Sequence, residues 1–318
     1  MKGDLDYFAK GLYLRHYAAD SFCEFCCAHS STADPPGLWS NFRQDARWKQ
    51  QLFTVPEWRA LHPIRHWLFE AFGFLTHHNI ECDELHILYL GVTQVALGSV
   101  LWVMAYRSMP ETPHANVERI WSFVVDCYKD VGSSTEFTNL GLRSFTDPSS
   151  PHADYPVLRG RGAEIKDITE PVHRAWRHFR NPGTYEFARV DQMLEPLVAF
   201  QAILSTHSND LFLPVSTAQR FREHVDDFLM AYSYLANKAD EEGALLWSVR
   251  PKLHWLYHMA GKADKLNPRA SACLIDEDYM GHIKKVVQTS VQGTPMERVP
   301  LKVAEKIRWA GHFAAIDC

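Results

Sequence analysis

The stretch Asp83–Tyr106, DELHILYLGVTQVALGSVLWVMAY, decides how the chain is read. From Ile87 to Tyr106 no residue is charged, and the run is long enough to cross a bilayer. Thr93, Gln94, Ser99 and the glycines Gly91 and Gly98 interrupt it, and Asp83, Glu84 and His86 press against its start. A membrane span tolerates such polarity poorly, and no other segment could partner it. The stretch therefore reads as a helix apolar nearly all round, buried in a protein core. A membrane-associated helical protein is the competing reading.

Composition supports a packed interior. Of 318 residues, 46% are hydrophobic and 13% aromatic, enough for one large core or two closely packed ones. Charged residues make up 22%, too few and too mixed for a disordered chain. The formal charge of −5 differs from the basic balance of an autonomous DNA-binding domain, so any DNA contact must come from local patches. Cys23, Cys26, Cys27, Cys82, Cys127, Cys273 and Cys318 are odd in number and irregular in spacing, which favours a reducing compartment. The opening MKGDLDYFAK has no apolar core of a secretory signal. The expectation is an intracellular protein, nuclear if eukaryotic, without a membrane.

Around the central stretch, apolar residues recur at helical spacing. Ala115–Val131 carries Ile120, Phe123, Val124 and Cys127 in register; Glu164–Arg180 carries Ile165, Ile168, Val172 and Trp176. Arg189–Leu204 and Ala218–Ala236 repeat the pattern, the last with Phe221, Val225, Phe228, Tyr232 and Leu235 on one stripe. Pro171 and Pro196 fall inside two of these segments, which are then either kinked or split. Thr32–Gly37 and Ser144–Pro156 are turn-rich connections. Strand candidates are few and short: Ala71–Leu75 (AFGFL) and Ser271–Ile275 (SACLI). The fold class expected is mainly α with a small mixed β remnant.

Three acidic clusters could carry chemistry: Asp4 and Asp6 in GDLDY, Asp83 and Glu84 in CDELH, and Asp276, Glu277 and Asp278 in LIDEDYMGHIKK. Singly, each suits the positive end of a helix, so capping is the plain reading. Their order along the chain is more specific. The run DELH followed by ILYLGV resembles the Asp/Cys-x-x-His signature of eukaryotic cut-and-paste transposases of the CACTA type and their relatives in the DDE superfamily. GDLDYFAKGLYL followed by SFCEFC resembles their region around the second catalytic Asp, trailed by a Cys-x-x-Cys pair. KLHWLYH at Lys252–His258, then Glu277 with Gly281 and Lys284 behind it, is similar to the end of the same core.

That resemblance implies an RNase H-like fold in which two Asp and one Glu hold a pair of divalent ions for phosphodiester cleavage and transfer. Hard carboxylate oxygens suit Mg²⁺ or Mn²⁺. It assigns Asp4 as the second acid with Asp6 as alternative, Glu277 as the third with Asp278 as alternative, places His86 close to the scissile phosphate and counts Asp83 among the catalytic candidates. It also implies a first acid on a strand ahead of the second, whereas only three residues precede Asp4. The expectation is therefore a truncated core, transposase-derived and inactive as a fragment. Residues 1–106 would be the first half of the core, 107–250 an all-helical insertion and 251–318 the return of the core. The carboxylates of Asp4 and Glu277 should then lie roughly 4–8 Å apart, given two ions about 3.5–4 Å from each other.

Cys23 and Cys26, with Cys27 and His29 nearby, could form half of a zinc site. A second ligand pair is missing at the usual spacing, and Cys82 and His86 are conceivable partners. His254 and His258 share one helix face at i and i+4; without the glutamate of a zinc-protease motif they read as packing. For DNA, Pro171–Arg180 (PVHRAWRHFR) offers Arg174, Arg177 and Arg180 beside Trp176 and Phe179, and Lys284 and Lys285 follow the last acidic cluster. Interleaved bases and aromatics suit backbone contact and stacking; a solvated helix face is the alternative. The partners expected are DNA and a second copy of the chain, with no small-molecule cofactor. A non-catalytic helical protein binding DNA or protein is the alternative function.

Overall fold

In the computed structural model of the protein, the described residues are 1–62, 66–132, 135–183, 186–273 and 284–316. The Asp83–Tyr106 stretch does form a helix, α5, spanning Leu85–Ser108, and most of it is buried inside the protein. Its polar residues are satisfied from within: Thr93 Oγ1 accepts from Gln201 Nε2 at 3.1 Å, and Ser99 Oγ accepts from the Trp247 amide at 3.0 Å. The apolar length that mimics a membrane span is thus the spine of a protein core, where buried polar groups must find partners.

Helix α5 is not regular throughout. Its first part, Leu85–Thr93, and its end, Met104–Ser108, have π-helical hydrogen bonding, and Leu90 (φ −84, ψ 17) leaves the helical ladder. The freed Leu90 carbonyl accepts from Gln94 Nε2 at 2.9 Å and from Lys252 Nζ at 3.0 Å.

The protein is mainly helical with a small parallel sheet. Strand β1 (Lys2–Gly3) pairs with β2 (Glu81–Cys82), Gly3 opposite Cys82. Helix α1 (Leu5–Leu12) leaves the sheet at once, capped by the Asp4 carboxylate on the Tyr7 amide at 2.6 Å. Three short helices follow: α2 (Arg47–Gln50), α3 (Val55–Leu61), opened by a Thr54–Glu57 capping box, and α4 (Trp67–Ala71). The AFGFL segment is not a strand: Ala71 ends α4 and Phe72 and Phe74 are exposed in the turn around Gly73. Of the second expected strand, Ser271 closes a 3₁₀ turn (Pro268–Ser271), Ala272 and Cys273 are irregular, and 274–275 lie outside the described residues.

The longer helices wrap α5. Helix α6 (Pro113–Val131) begins at the Thr112 cap and stops at Gly132, whose φ of 64 a side chain would resist. Helices α7 (Gly162–Phe179) and α8 (Glu186–Thr206) each run through their internal proline as one element. Helix α8 pairs with α9 (Val215–Glu241) through Phe200, which meets Phe221 and Phe228 edge-on at 5.8 and 5.9 Å. Helix α10 (Pro251–Gly261) packs against α9 and the first part of α5.

Met1–Ser271 forms one unit and Ala272–Cys318 a second. In the second, a helix α11 over 284–291 and a helix α12 (Val299–Ile316) are tied by Lys306 Nζ on Thr289 Oγ1 at 2.8 Å.

Candidate metal centre and carboxylate cleft

Cys23 and Cys26 sit in a tight loop whose amides turn inward. The Phe25 amide donates to Cys23 Sγ at 3.3 Å, and the Ala28 amide bonds Cys26. The loop is pinned on both sides. Phe53 N–H donates to the Phe25 carbonyl at 2.8 Å, and Cys27 N–H to the Gln51 carbonyl at 3.3 Å. Glu24, buried between the cysteines, accepts from Trp58 Nε1 and pairs with His62 Nε2, both at 2.7 Å, and accepts from the Arg15 amide at 2.9 Å. Burial alone would raise the Glu24 pKa; the His62 bond and the Arg15 charge outweigh it and hold the carboxyl below its ordinary value.

Opposite this loop lies one face of α10. Spacing of i and i+4 puts His254 and His258 on the same side, and both rings point at the cysteines. Cys23 Sγ lies 3.3 Å from His258 Nε2, Cys26 Sγ 3.3 Å from His254 Nε2, and the two Nε2 atoms 3.1 Å from each other. All four ligand atoms fall within 4.8 Å of one another and all four residues are buried. A tetrahedral ion with metal–sulfur bonds of about 2.3 Å and metal–nitrogen bonds of about 2.0–2.1 Å would set S···N at about 3.6 Å and N···N at about 3.3 Å. The two S···N contacts of 3.3 Å and the N···N contact of 3.1 Å lie within a few tenths of an ångström of these values. His254 Nδ1–H donates to the Trp39 carbonyl at 3.1 Å, which fixes the tautomer with its Nε2 lone pair toward the cluster. Trp48 lies against the His254 ring at 4.3 Å and Phe25 against the His258 ring at 5.0 Å, so an aromatic ring flanks each imidazole.

Burial disfavours charge at both sulfurs. At Cys23 the hydrogen bond from Cys26 and the fields of His258 and His254 overcome it and hold the thiol well below its ordinary value. Burial and the neighbouring Cys23 push Cys26 well above it, and burial lowers His258. These four residues form a Cys₂His₂ cluster that can hold a metal ion.

The cluster corrects two sequence expectations. Cys82 and His86 are not the partners of the Cys23–Cys26 pair: Cys82 lies in β2, with its carbonyl accepting from Ser271 Oγ, and His86 lines a separate cleft. His254 and His258, read from the sequence as packing residues, instead face the cysteines as the other half of the cluster. The signal for this was an orphan Cys-x-x-Cys together with a His-x₃-His in the most apolar late helix.

The separate cleft encloses about 350 Å³ and is lined by Asp4, Asp6, Tyr17, His86, Arg250 and Lys252 among others. Because β1 and β2 are parallel and in register, the residues that follow them, Asp4 and Asp83, leave the sheet side by side; the Asp83 amide donates to the Gly3 carbonyl at 3.2 Å. Asp83 is fully buried, accepts from the amides of Leu85 at 3.0 Å and His86 at 3.3 Å, and makes a close bond to His86 Nδ1. Asp6 points outward to Lys10 at 2.7 Å. Lys252 bonds the Leu90 carbonyl; burial lowers its pKa, opposed by Asp4 and Asp83. Glu277 and Asp278 lie outside the described residues.

The candidate DNA-contacting arginines are engaged by acids: Arg174 with Glu170 at 2.9 Å, Arg177 with Asp191 at 3.4 Å, and Arg180 with Asp191, while Trp176 is buried. Lys284 and Lys285 are exposed on α11. Comparison of the chain with family models, curated proteins and solved structures finds no match.

Proposed function

We propose that this chain is the zinc-bearing part of a transposase-type core, derived from an enzyme that cuts and joins DNA strands with a pair of Mg²⁺ or Mn²⁺ ions. The observation that carries the reading is the position of Asp4 and of the bonded pair Asp83–His86 just past the carboxyl ends of two adjacent parallel strands. Ligands of open parallel sheets gather at that edge, and an RNase H-like core needs its acids there. In this reading Asp4 is a metal-binding acid, and His86, oriented by Asp83, faces the phosphate with Lys252 and Arg250 alongside.

The Cys₂His₂ cluster has a different task. Mixed sulfur and imidazole donors in a tetrahedron suit Zn²⁺. With four protein ligands and no open position, such an ion holds the fold and performs no chemistry on a substrate. That closed coordination also favours a second reading, a zinc-stabilised helical protein that binds DNA or protein without cutting.

Ferrous ion replacing Mg²⁺ in the zinc-loaded protein separates the two. With ascorbate and peroxide it cleaves the backbone close to where it binds. Cuts focused near Asp4 and His86, competed by Mg²⁺ and lost in Asp4→Asn, are expected. Cleavage without focus, or unchanged in that variant, sinks the catalytic reading.

A further inference from the structure

At the far end of α10 from the carboxylate cleft, Lys49, Arg222, Lys262 and Lys265 border a cavity of about 290 Å³. Its apolar wall is Phe25, Phe53, Tyr257 and Leu52. We infer that this cavity binds one nucleotide unit of a single strand, phosphate toward Lys265 and Arg222 and base against Tyr257, Phe53 and Leu52.

The charges are arranged for a visiting anion. Asp226 backs Lys49 at 3.3 Å, Glu81 backs Lys262 at 2.9 Å, and Asp264 stands 3.9 Å from Arg222. None of these acids lines the cavity; its polar lining is the four cations with the imidazoles of His77, His78 and His258. Lys265 is exposed and has no ion pair among the described residues. The two inner cations also lie over aromatic rings, Lys49 Nζ 4.7 Å from Tyr257 and Lys262 Nζ 5.0 Å from Phe25, which holds them in place.

The apolar wall selects the ligand. Leu52 is 58% exposed, and Phe53 and Tyr257 are half-buried. A bare phosphate would leave that surface wet, whereas a nucleotide uses both halves, as single-strand binders do when they combine a basic groove with aromatic stacking. Position agrees. The cavity takes Tyr257 from the end of α10 and Lys262 and Lys265 from the turn that follows it, and the cleft takes Arg250 and Lys252 from its start. At 1.5 Å per residue that helix is roughly 16 Å long, about five nucleotide steps of duplex. The assignment stands whether or not the cleft is catalytic.

The test uses the zinc-loaded full chain and a fluorescein-labelled single-stranded DNA of twelve nucleotides, followed by anisotropy across a salt series. Lys265→Glu should weaken binding about tenfold and lower the salt slope by about one. Tyr257→Leu should weaken it about tenfold with the slope unchanged. Lys129→Glu on α6, an equal change of net charge, should change binding less than twofold. Deoxyadenosine monophosphate should displace the strand at concentrations where inorganic phosphate does not. No binding by the parent, equal loss in Lys265→Glu and Lys129→Glu, or equal displacement by inorganic phosphate would each overturn the assignment.

Discussion

Cys23 and His258 stand 235 positions apart in the chain and meet with Sγ and Nε2 3.3 Å from each other. A cross-link that closes a loop of this length removes about 5 kcal/mol of chain entropy from the unfolded state. Stripping the metal with a chelator should therefore lower the thermal midpoint by about 10 °C, at roughly 2 °C per kcal/mol for a domain of this size. Elemental analysis should give one zinc per chain in the parent and none in Cys26→Ser. An unchanged midpoint in chelator would remove the ion from the fold.

Two glycines in α5 are close approaches. A Cβ on Gly98 would lie 2.8 Å from the backbone of Pro156 and Leu158, and one on Gly91 would lie 2.6 Å from the His86 carbonyl and Lys252 Cδ. Backbone cannot give way as a side-chain end can, so Gly98→Ala should cost about 3 kcal/mol and Gly91→Ala about 1–3 kcal/mol. Gly141→Ala meets open space at φ −129 and should be neutral. Urea midpoints check all three.

Glu84 is fully buried and held by Arg269 at 3.0 Å and the Tyr89 hydroxyl at 3.0 Å. Burial raises its pKa against the pull of Arg269. Arg269→Met should cost about 3–5 kcal/mol, because it strands a buried carboxylate. The double variant Arg269→Met with Glu84→Gln should recover a good part of that loss. Additive losses in a double-mutant cycle would show that the pair does not act as one.

Burial lowers the His77 pKa to about 4, against about 6.5 in an unfolded chain. Between those values the unfolded state holds more protons, so stability should fall as pH drops from about 6.5 to about 4 and be level above. The full effect is up to about 3 kcal/mol. The readout that isolates this group is the parent minus His77→Gln. A difference that does not vary with pH would contradict the assignment.

Helices were legible because their stripes are long. The register Ile165, Ile168, Val172 and Trp176 is buried in α7, and Phe221, Val225, Phe228 and Tyr232 are buried in α9. The sheet was not legible, since strands of two residues carry no alternation; the apolar AFGFL was the more tempting candidate and is a turn. In the metal centre, Cys23 and Cys26 were visible as a pair, but their partners lie so far along the chain that no spacing rule connects them. Only the topology that brings α10 against the Cys23–Cys26 loop does so. The side-by-side placement of Asp4 and Asp83 likewise follows from the register of β1 on β2, which neither motif encodes.

The distance along the chain between the two halves of the Cys₂His₂ cluster also sets a clock. At the ribosome's pace of about 5–20 residues per second, Cys23 and Cys26 wait some ten to fifty seconds before His258 is made. During that interval the thiols have no imidazoles to complete their tetrahedron. They are then open to oxidation or capture by a thiophilic ion, so a chain that takes up a metal at this cluster is more exposed while nascent than when finished.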